Sequence, residues 1–278
     1  MSLRLSPLLL ASLGFFVFVA GALRTQEVAY YNDVLVGDRV VIGAPVLLSL
    51  YAGDRFLAAN LEVMRLSATG MSGRGVDSGY LVRAQAVVSE LNSCHEDNYY
   101  LANGLLTWGG AVSEGDEILR RAMVCRFWDG VPAFFYGVNR AFFDHDTVAA
   151  MKALEVAAQR WPENAAPLRK LAIMLKVESF ADENLAMNYL QQQRDKAEDA
   201  KLRDLLGKRV IRLKGLIDLR AAQRHYESVH GKLESLQQLV SSGELKALPD
   251  DPLHLGYELR DGRIEMRRLR VAGVEGQP

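Results

Sequence analysis

Residues 98–128, slid along the chain by 33 positions, superpose Leu101 on Phe134, Gly104 on Gly137, Leu105 on Val138, Ile118 on Met151, Met123 on Val156 and Trp128 on Trp161. Such self-similarity constrains the fold strongly. A lone two-helix unit cannot bury its apolar face, so units of this kind stack on neighbours like themselves. Apolar spacings of three and four agree with helix. Between Ala44 and Leu66 they pick out Leu47, Leu50, Tyr51, Phe56, Leu57, Leu61 and Met64. Further helices are predicted over 80–91, 98–108, 113–127, 132–143, 147–160 and 165–177, and another from Ala181. The run Gly70 to Gly75 follows no strand and precedes no Lys-Ser/Thr pair, so it is a loop and not a phosphate cradle. Asp97, Ser113 and Asp146 are placed to cap helix N-termini, and Pro132 suits a first turn. Short links make successive helices antiparallel neighbours. The expected fold is therefore all-α, an α-solenoid of antiparallel helix pairs over residues 44–195. Gly104 and Gly137 stand where a second helix must approach closely, with Ala149 and Ala153 on the facing helix of the second copy.

The second copy, with Gly137, Ala149, Ala153 and a closing Pro162, resembles the tetratricopeptide-repeat (TPR-like) family, whose units are about 34 residues long. The resemblance covers residues 80–195 and departs from the family pattern in the first copy, where Asp116 stands at the position of Ala149. The runs Asn98 to Trp108, Arg126 to Asp129 and Phe134 to Asn139 are similar to a group of bacterial membrane-anchored repeat proteins. That similarity implies a cell-envelope setting and brings no activity with it.

Leu5 to Leu23 carries no charge and is flanked by Arg4 and Arg24. As a helix it would span roughly 28 Å, close to the hydrocarbon thickness of a bilayer. Residues 1–24 are expected to be a transmembrane anchor. A cleaved signal peptide is the competing reading, because Ala20-Gly21-Ala22 follows the apolar run Leu8 to Val19. Arg4 before the segment, and Glu27, Asp33 and Asp38 after it, orient the N-terminus to the cytoplasm. The expected location is a bacterial inner membrane, crossed once, with the bulk of the chain in the periplasm. Residues 25–43 are a linker. Cys94 and Cys125 are expected to be two buried free thiols; the alternative, open in the periplasm, is that they pair as a disulfide.

A formal net charge of −1 argues against nucleic acid, whose binding needs a basic surplus. No zinc-protease, Walker, nucleophile-elbow or dinucleotide signature is present. His95-Glu96-Asp97 and Asp144-His145-Asp146 point consecutive side chains in different directions, and His225 and His230 do not share a helix face. No catalytic residue, metal or cofactor is expected. Aromatic residues crowd between Tyr99 and Phe143, more of them than one buried face can hide. Tyr100, Asn103, Tyr136 and Asn139 are the candidates for a protein-binding groove, since aromatic anchors carry much of the energy at such surfaces.

Residues 196–240 are expected to be a long capping helix. Leu206, Val210, Leu213 and Ile217 form an apolar seam along it, free either to dock on the repeats or to join two copies as a homo-oligomer. Lys201 to Arg224 makes its face basic. In the tail, residues 241–278, Leu248 to Pro252 is a turn and Tyr257 to Met266 alternates about Asp261-Gly262 as a β-hairpin. This tail is similar to the C-terminal segments of some bacterial pseudopilins. The expected function is a non-catalytic, membrane-anchored scaffold that captures a protein segment. The alternatives are a structural or assembly subunit of a secretion or pilus machine and a hydrolase with dispersed acid residues.

Overall fold

The structure, a computed structural model, describes residues 12–20, 40–69, 78–107 and 109–267. These are mostly helical, with one two-stranded antiparallel sheet. The chain divides into two compact units, Met1–Ala122 and Met123–Pro278.

The first unit holds α1 (residues 12–20), α2 (Ala44–Leu50), α3 (Arg55–Thr69), α4 (Ser78–Leu91) and α5 (Glu96–Leu101). It also takes most of α6 (Val112–Cys125). Asp54 caps α3 by accepting from the amides of Phe56 and Leu57, each at 3.0 Å. Ala58, Ala59, Val63 and Leu66 of α3 are buried, as are Tyr80, Leu81, Ala84, Val88 and Leu91 of α4, and the two helices pack together. Glu62 is buried among them and is held by Arg65, whose Nε donates to its Oε2 at 2.8 Å. The helix expected over 98–108 begins as α5 and then widens into a π-helical stretch, Ala102–Thr107. Thr107 is fully buried there, and its hydroxyl occupies the place a Cβ on Gly115 would need.

Two expected caps are corrected. Asp97 lies inside the first turn of α5, whose cap residue is His95, and Ser113 lies inside α6 with its hydroxyl on Glu114 at 2.7 Å. An acidic group in a first turn still favours the helix dipole.

In the second unit α7 (Val131–Phe142), α8 (Thr147–Arg160), α9 (Ala165–Glu178), α10 (Glu183–Lys196) and α11 (Ala200–His230) follow one another with short links. Each packs on a sequence neighbour: α7 on α8, α8 on α9, α10 on α11, with α9 also against α10 and α11. Pro132 stands in the first turn of α7. Asp146, Asp182 and Asp199 cap α8, α10 and α11 with their carboxylates. Gly137 sits where α7 meets α8: a Cβ on it would lie 3.1 Å from Leu154 Cγ, 3.2 Å from the Ala150 carbonyl and 3.3 Å from Ala153 Cβ. Gly104 is different. It is exposed, and a Cβ on it would meet nothing, so the close-packing reason fails at that position. Ala153 faces the glycine as expected, but it is Ala150 and not the half-buried Ala149 that shares the contact.

The seam on α11 is spent within its own unit. Leu206, Val210 and Leu213 are buried, and Ile217 packs against the same core, which also holds Leu190, Leu219, Tyr257 and Ile264. Of the two readings of the 206–217 seam it is docking that the structure shows, because the unit's own core already takes up those side chains. The hairpin, β1 (Tyr257–Arg260) and β2 (Arg263–Met266), pairs Tyr257 with Met266 and Arg260 with Arg263. Asp261 and Gly262 both take positive φ, 51° and 78°, the backbone of a primed two-residue turn.

One buried charged node pins the hairpin to α11. Arg212 and Asp251 are about 5% and 4% exposed, with Nε and Oδ2 at 3.1 Å. Asp251 also accepts from the amides of Leu253, Leu255 and Gly256 at 3.0, 3.1 and 2.7 Å. Arg212 donates onward to the Arg267 carbonyl at 2.6 Å, and the Tyr257 hydroxyl donates to the Arg212 carbonyl at 2.9 Å. The basic run Lys201 to Arg224 is thus partly consumed by structure. Arg220 donates to the Ile264 carbonyl and Gln223 to that of Gly262, while Lys208 and Lys214 pair with Asp204 and Asp218.

Of the expected anchor, residues 1–24, only the helix over 12–20 is described. Its Leu13, Phe15, Phe16, Val17 and Phe18 are exposed. Among the described residues no helix is long and apolar enough to cross a membrane. The rest of that segment, most of the 25–43 linker, the Gly70 to Gly75 loop and the chain beyond Arg267 lie outside the described residues. The expectation of two buried free thiols is corrected: neither Cys94 nor Cys125 is a free thiol.

Candidate functional site

The second unit contains an open groove of about 530 Å³ where α8, α9 and α10 meet the start of α11. Its floor is apolar: Ala172 and Ile173 of α9, Ala197 and Leu202 are buried, and Met151 of α8 is half-buried. These residues are there because α8 to α11 turn small or branched apolar side chains toward their common core. The walls are polar, since each helix turns its charged stripe outward beside that floor.

Three charges on the wall are already matched. Arg169 grips Glu155, with Nη2 to Oε1 at 2.9 Å and Nε to Oε2 at 3.1 Å. The hydrogen bond to Glu155 holds the Arg169 guanidinium above its ordinary pKa. Asp199 caps α11 through the Leu202 amide at 2.7 Å. The others are unmatched. Lys152, Lys196 and Glu198 are exposed and have no ion-pair partner among the described residues. Tyr189 is half-buried on the wall, its ring 5.6 Å from that of Phe180, and burial pushes its phenol pKa upward. The groove therefore offers an apolar strip bordered by two free ammonium groups, one free carboxylate and a desolvated phenol. Such a lining suits the mixed chemistry of a polypeptide segment.

The sequence singled out none of these residues. Charged positions on an amphipathic helix carry no mark that separates a groove wall from ordinary solvated surface. Of the four residues it did single out, Tyr100 and Asn103 belong to the first unit and Tyr136 and Asn139 to the second. Tyr100 is exposed, stacks on Tyr99 at 4.8 Å, and borders an open hollow of about 580 Å³ with Met64, Ala68 and Leu101. Asn103 is half-buried on the π-helical stretch. Tyr136 is half-buried with the Arg140 guanidinium 6.0 Å from its ring centre. Asn139 is about 1% exposed and cannot present its amide to a ligand. Some of the crowded aromatic residues do lie outside the core: Phe127, Trp128 and Phe142 are all more than half exposed.

Among the described residues no group of three or more His, Cys, Asp or Glu side chains converges as a metal site. His95, read above as part of a polar triplet, is half-buried, and burial lowers its pKa against the opposing pull of Asp97. No protein-family model, no curated protein and no solved structure matches this chain.

Proposed function

We propose that the chain is a non-catalytic scaffold of the bacterial cell envelope, held at the inner membrane by its N-terminal apolar segment, with its helical repeats in the periplasm. In this reading α7 to α11 form a short TPR-like solenoid, and the groove at α8–α11 captures a segment of a partner protein. The groove carries the proposal: an apolar floor beside unmatched charges of both signs is a surface that a peptide completes. The packing of α7, α8, α9 and α10 on their sequence neighbours supports the solenoid, as does Gly137 at the α7–α8 contact. The uncharged run Leu5 to Leu23 supports the anchor.

The test is photo-crosslinking from the groove in cells, with a benzophenone amino acid at Gln193, followed by membrane fractionation. The expected result is a discrete protein adduct in the membrane fraction that disappears in the Lys152→Glu, Lys196→Glu variant. A chain recovered in the soluble fraction would remove the anchor. Absence of any adduct from Gln193 would remove the groove as the binding site.

A further inference from the structure

We propose that residues 268–278 of the same chain dock in the groove at α8–α11, so that a partner segment has to displace them. The proposal rests on the reading of that groove as a peptide site and names what regulates it.

The chain arrives from the right direction. Along β2 the backbone is bonded to α11 at three points in turn. The Gly262 carbonyl accepts from Gln223, that of Ile264 from Arg220 and that of Arg267 from Arg212. The strand therefore runs back along α11 toward the start of that helix at Ala200. From Gly262 to Arg267 an extended chain advances about 16 Å, and from Gln223 to Arg212 the helix covers about 16 Å, so the two keep pace. Leu202, at the edge of the groove, lies roughly 15 Å further along α11 from Arg212. About four extended residues past Arg267 close that distance and bring the chain to the groove at Val271.

The residue types also match in order. After Arg267 the sequence reads Arg268-Leu269-Arg270, then Val271-Ala272-Gly273-Val274, then Glu275. A basic stretch is followed by a small apolar one and then by an acid. Seen from the α11 side, the groove presents Glu198 and Asp199, then the floor of Ala172 and Ile173, then Lys152 on α8. Glu198 and Lys152 are exposed and have no ion-pair partner among the described residues. Crossing from the α10–α11 link over α9 to α8 takes on the order of two interaxial distances, about 18 Å. The five extended residues from Arg270 to Glu275 span about 17 Å. Arg270 is thus set against Glu198 when Glu275 is set against Lys152, and Val271 and Val274 lie over the apolar floor between them.

The tether is short. It holds the segment at an effective concentration on the order of millimolar, so contacts too weak to retain a free peptide still fill the groove for much of the time. Exposed ion pairs contribute little individually, and the docked residues yield to a partner segment with larger apolar side chains.

The full-length chain carrying a benzophenone amino acid at Gln193 is purified in detergent, irradiated and digested. The expected product joins position 193 to a peptide from residues 268–278 of the same copy, with a yield unchanged over tenfold dilution. Glu275→Lys should lower that yield at least threefold, and Lys152→Glu added to it should restore the yield. In cells, Glu275→Lys should raise the partner adduct from Gln193 at least threefold. Circular dichroism of each variant should match the parent. If one loses helicity, Arg270→Glu with Glu198→Lys repeats the exchange. No adduct to residues 268–278, an adduct that fades on dilution, or a charge exchange without effect would each overturn the proposal, and a partner adduct persisting in cells would then leave the groove as a peptide site. A tail adduct in the purified chain, with no partner adduct in cells from any variant, would instead remove capture by the groove and with it the displacement proposed here.

Discussion

Replacing Asp251 with Ala tests the node that fastens the hairpin to α11. The carboxylate is buried, accepts from three backbone amides and faces a buried guanidinium at 3.1 Å. Its removal leaves Arg212 without a counter-charge, a loss of about 3–5 kcal/mol where a buried pair is broken from one side. The Leu253, Leu255 and Gly256 amides would be left without their acceptor, at about 1–3 kcal/mol each if water cannot reach them. Local opening limits the total, and about 4 kcal/mol is expected, a large fraction of the 5–15 kcal/mol that holds a typical domain together. With a urea m-value of about 2 kcal/mol/M, the midpoint should fall by about 2 M. Arg212→Met combined with Asp251→Leu should cost at least about 2 kcal/mol less than the sum of the singles, since neither charge is then stranded. The pH dependence supplies a second check. Burial pushes the Asp251 pKa up, but the three amides and Arg212 outweigh it and hold it below the ordinary 3.8. The stabilisation is therefore present above the unfolded value and is lost as pH falls through the lower folded one. Asp251→Asn should flatten that acid limb. An Asp251→Ala variant within about 1 kcal/mol of the parent, or strictly additive singles, would refute the argument.

The two packing glycines should separate cleanly. Gly137→Val places atoms into Leu154, Ala150 and Ala153 and should cost at least about 2 kcal/mol in urea unfolding, whereas Gly104→Ala, with open space, should cost nothing. Burial pushes the Tyr257 phenol up to about 12. As an acid with a raised folded pKa, it contributes stability below the unfolded value near 10 that is lost as pH rises through about 12. Tyr257→Phe should remove that part of the alkaline transition in a melting series. Asp146→Ala removes the acceptor of the Ala149 amide at 2.9 Å and should lower stability by about 1 kcal/mol. Alkylation without reductant should leave the intact mass unchanged, with two adducts appearing only after reduction, because neither cysteine is free.

Local signals in this sequence were strong where one principle acted alone. The bounds of α8 and the far end of α11 follow from apolar spacing, and the turn at Asp261-Gly262 follows from a dipeptide that tolerates two positive φ angles. Reading failed where tertiary contact overruled local chemistry. The widening of the backbone over Ala102–Thr107 leaves no mark in residue type, and Gly104 lies on it, so its likeness to Gly137 misled. Leu206, Val210 and Leu213 have the spacing of an intermolecular seam, and only the packed core of the unit shows that they are internal. The groove was illegible for a related reason. Lys152, Tyr189 and Lys196 converge through the packing of α8, α10 and α11, which no spacing along a single helix can announce. Tyr136 and Asn139 shared a helix face in the reading, yet one is half-buried and the other buried, because burial at α7 is set by α8.

The fastening of the hairpin to α11 also bears on how the second unit assembles and comes apart. Contacts among α7, α8, α9 and α10 join near neighbours in the chain, and contacts of that kind form early because little loop entropy is lost. The bonds from Arg212 to Arg267 and from Arg220 to Ile264 close spans of 55 and 44 residues. Their formation is the slow, entropically costly event. A pull on the polypeptide beyond β2 would load Arg212 directly and unzip the strands before any helix pair felt the force. Amide exchange should record the same ordering, with the β1–β2 amides opening at lower free energy than those of α8. The hairpin is the latch of this unit, and its release would withdraw Tyr257 and Ile264 from the shared core.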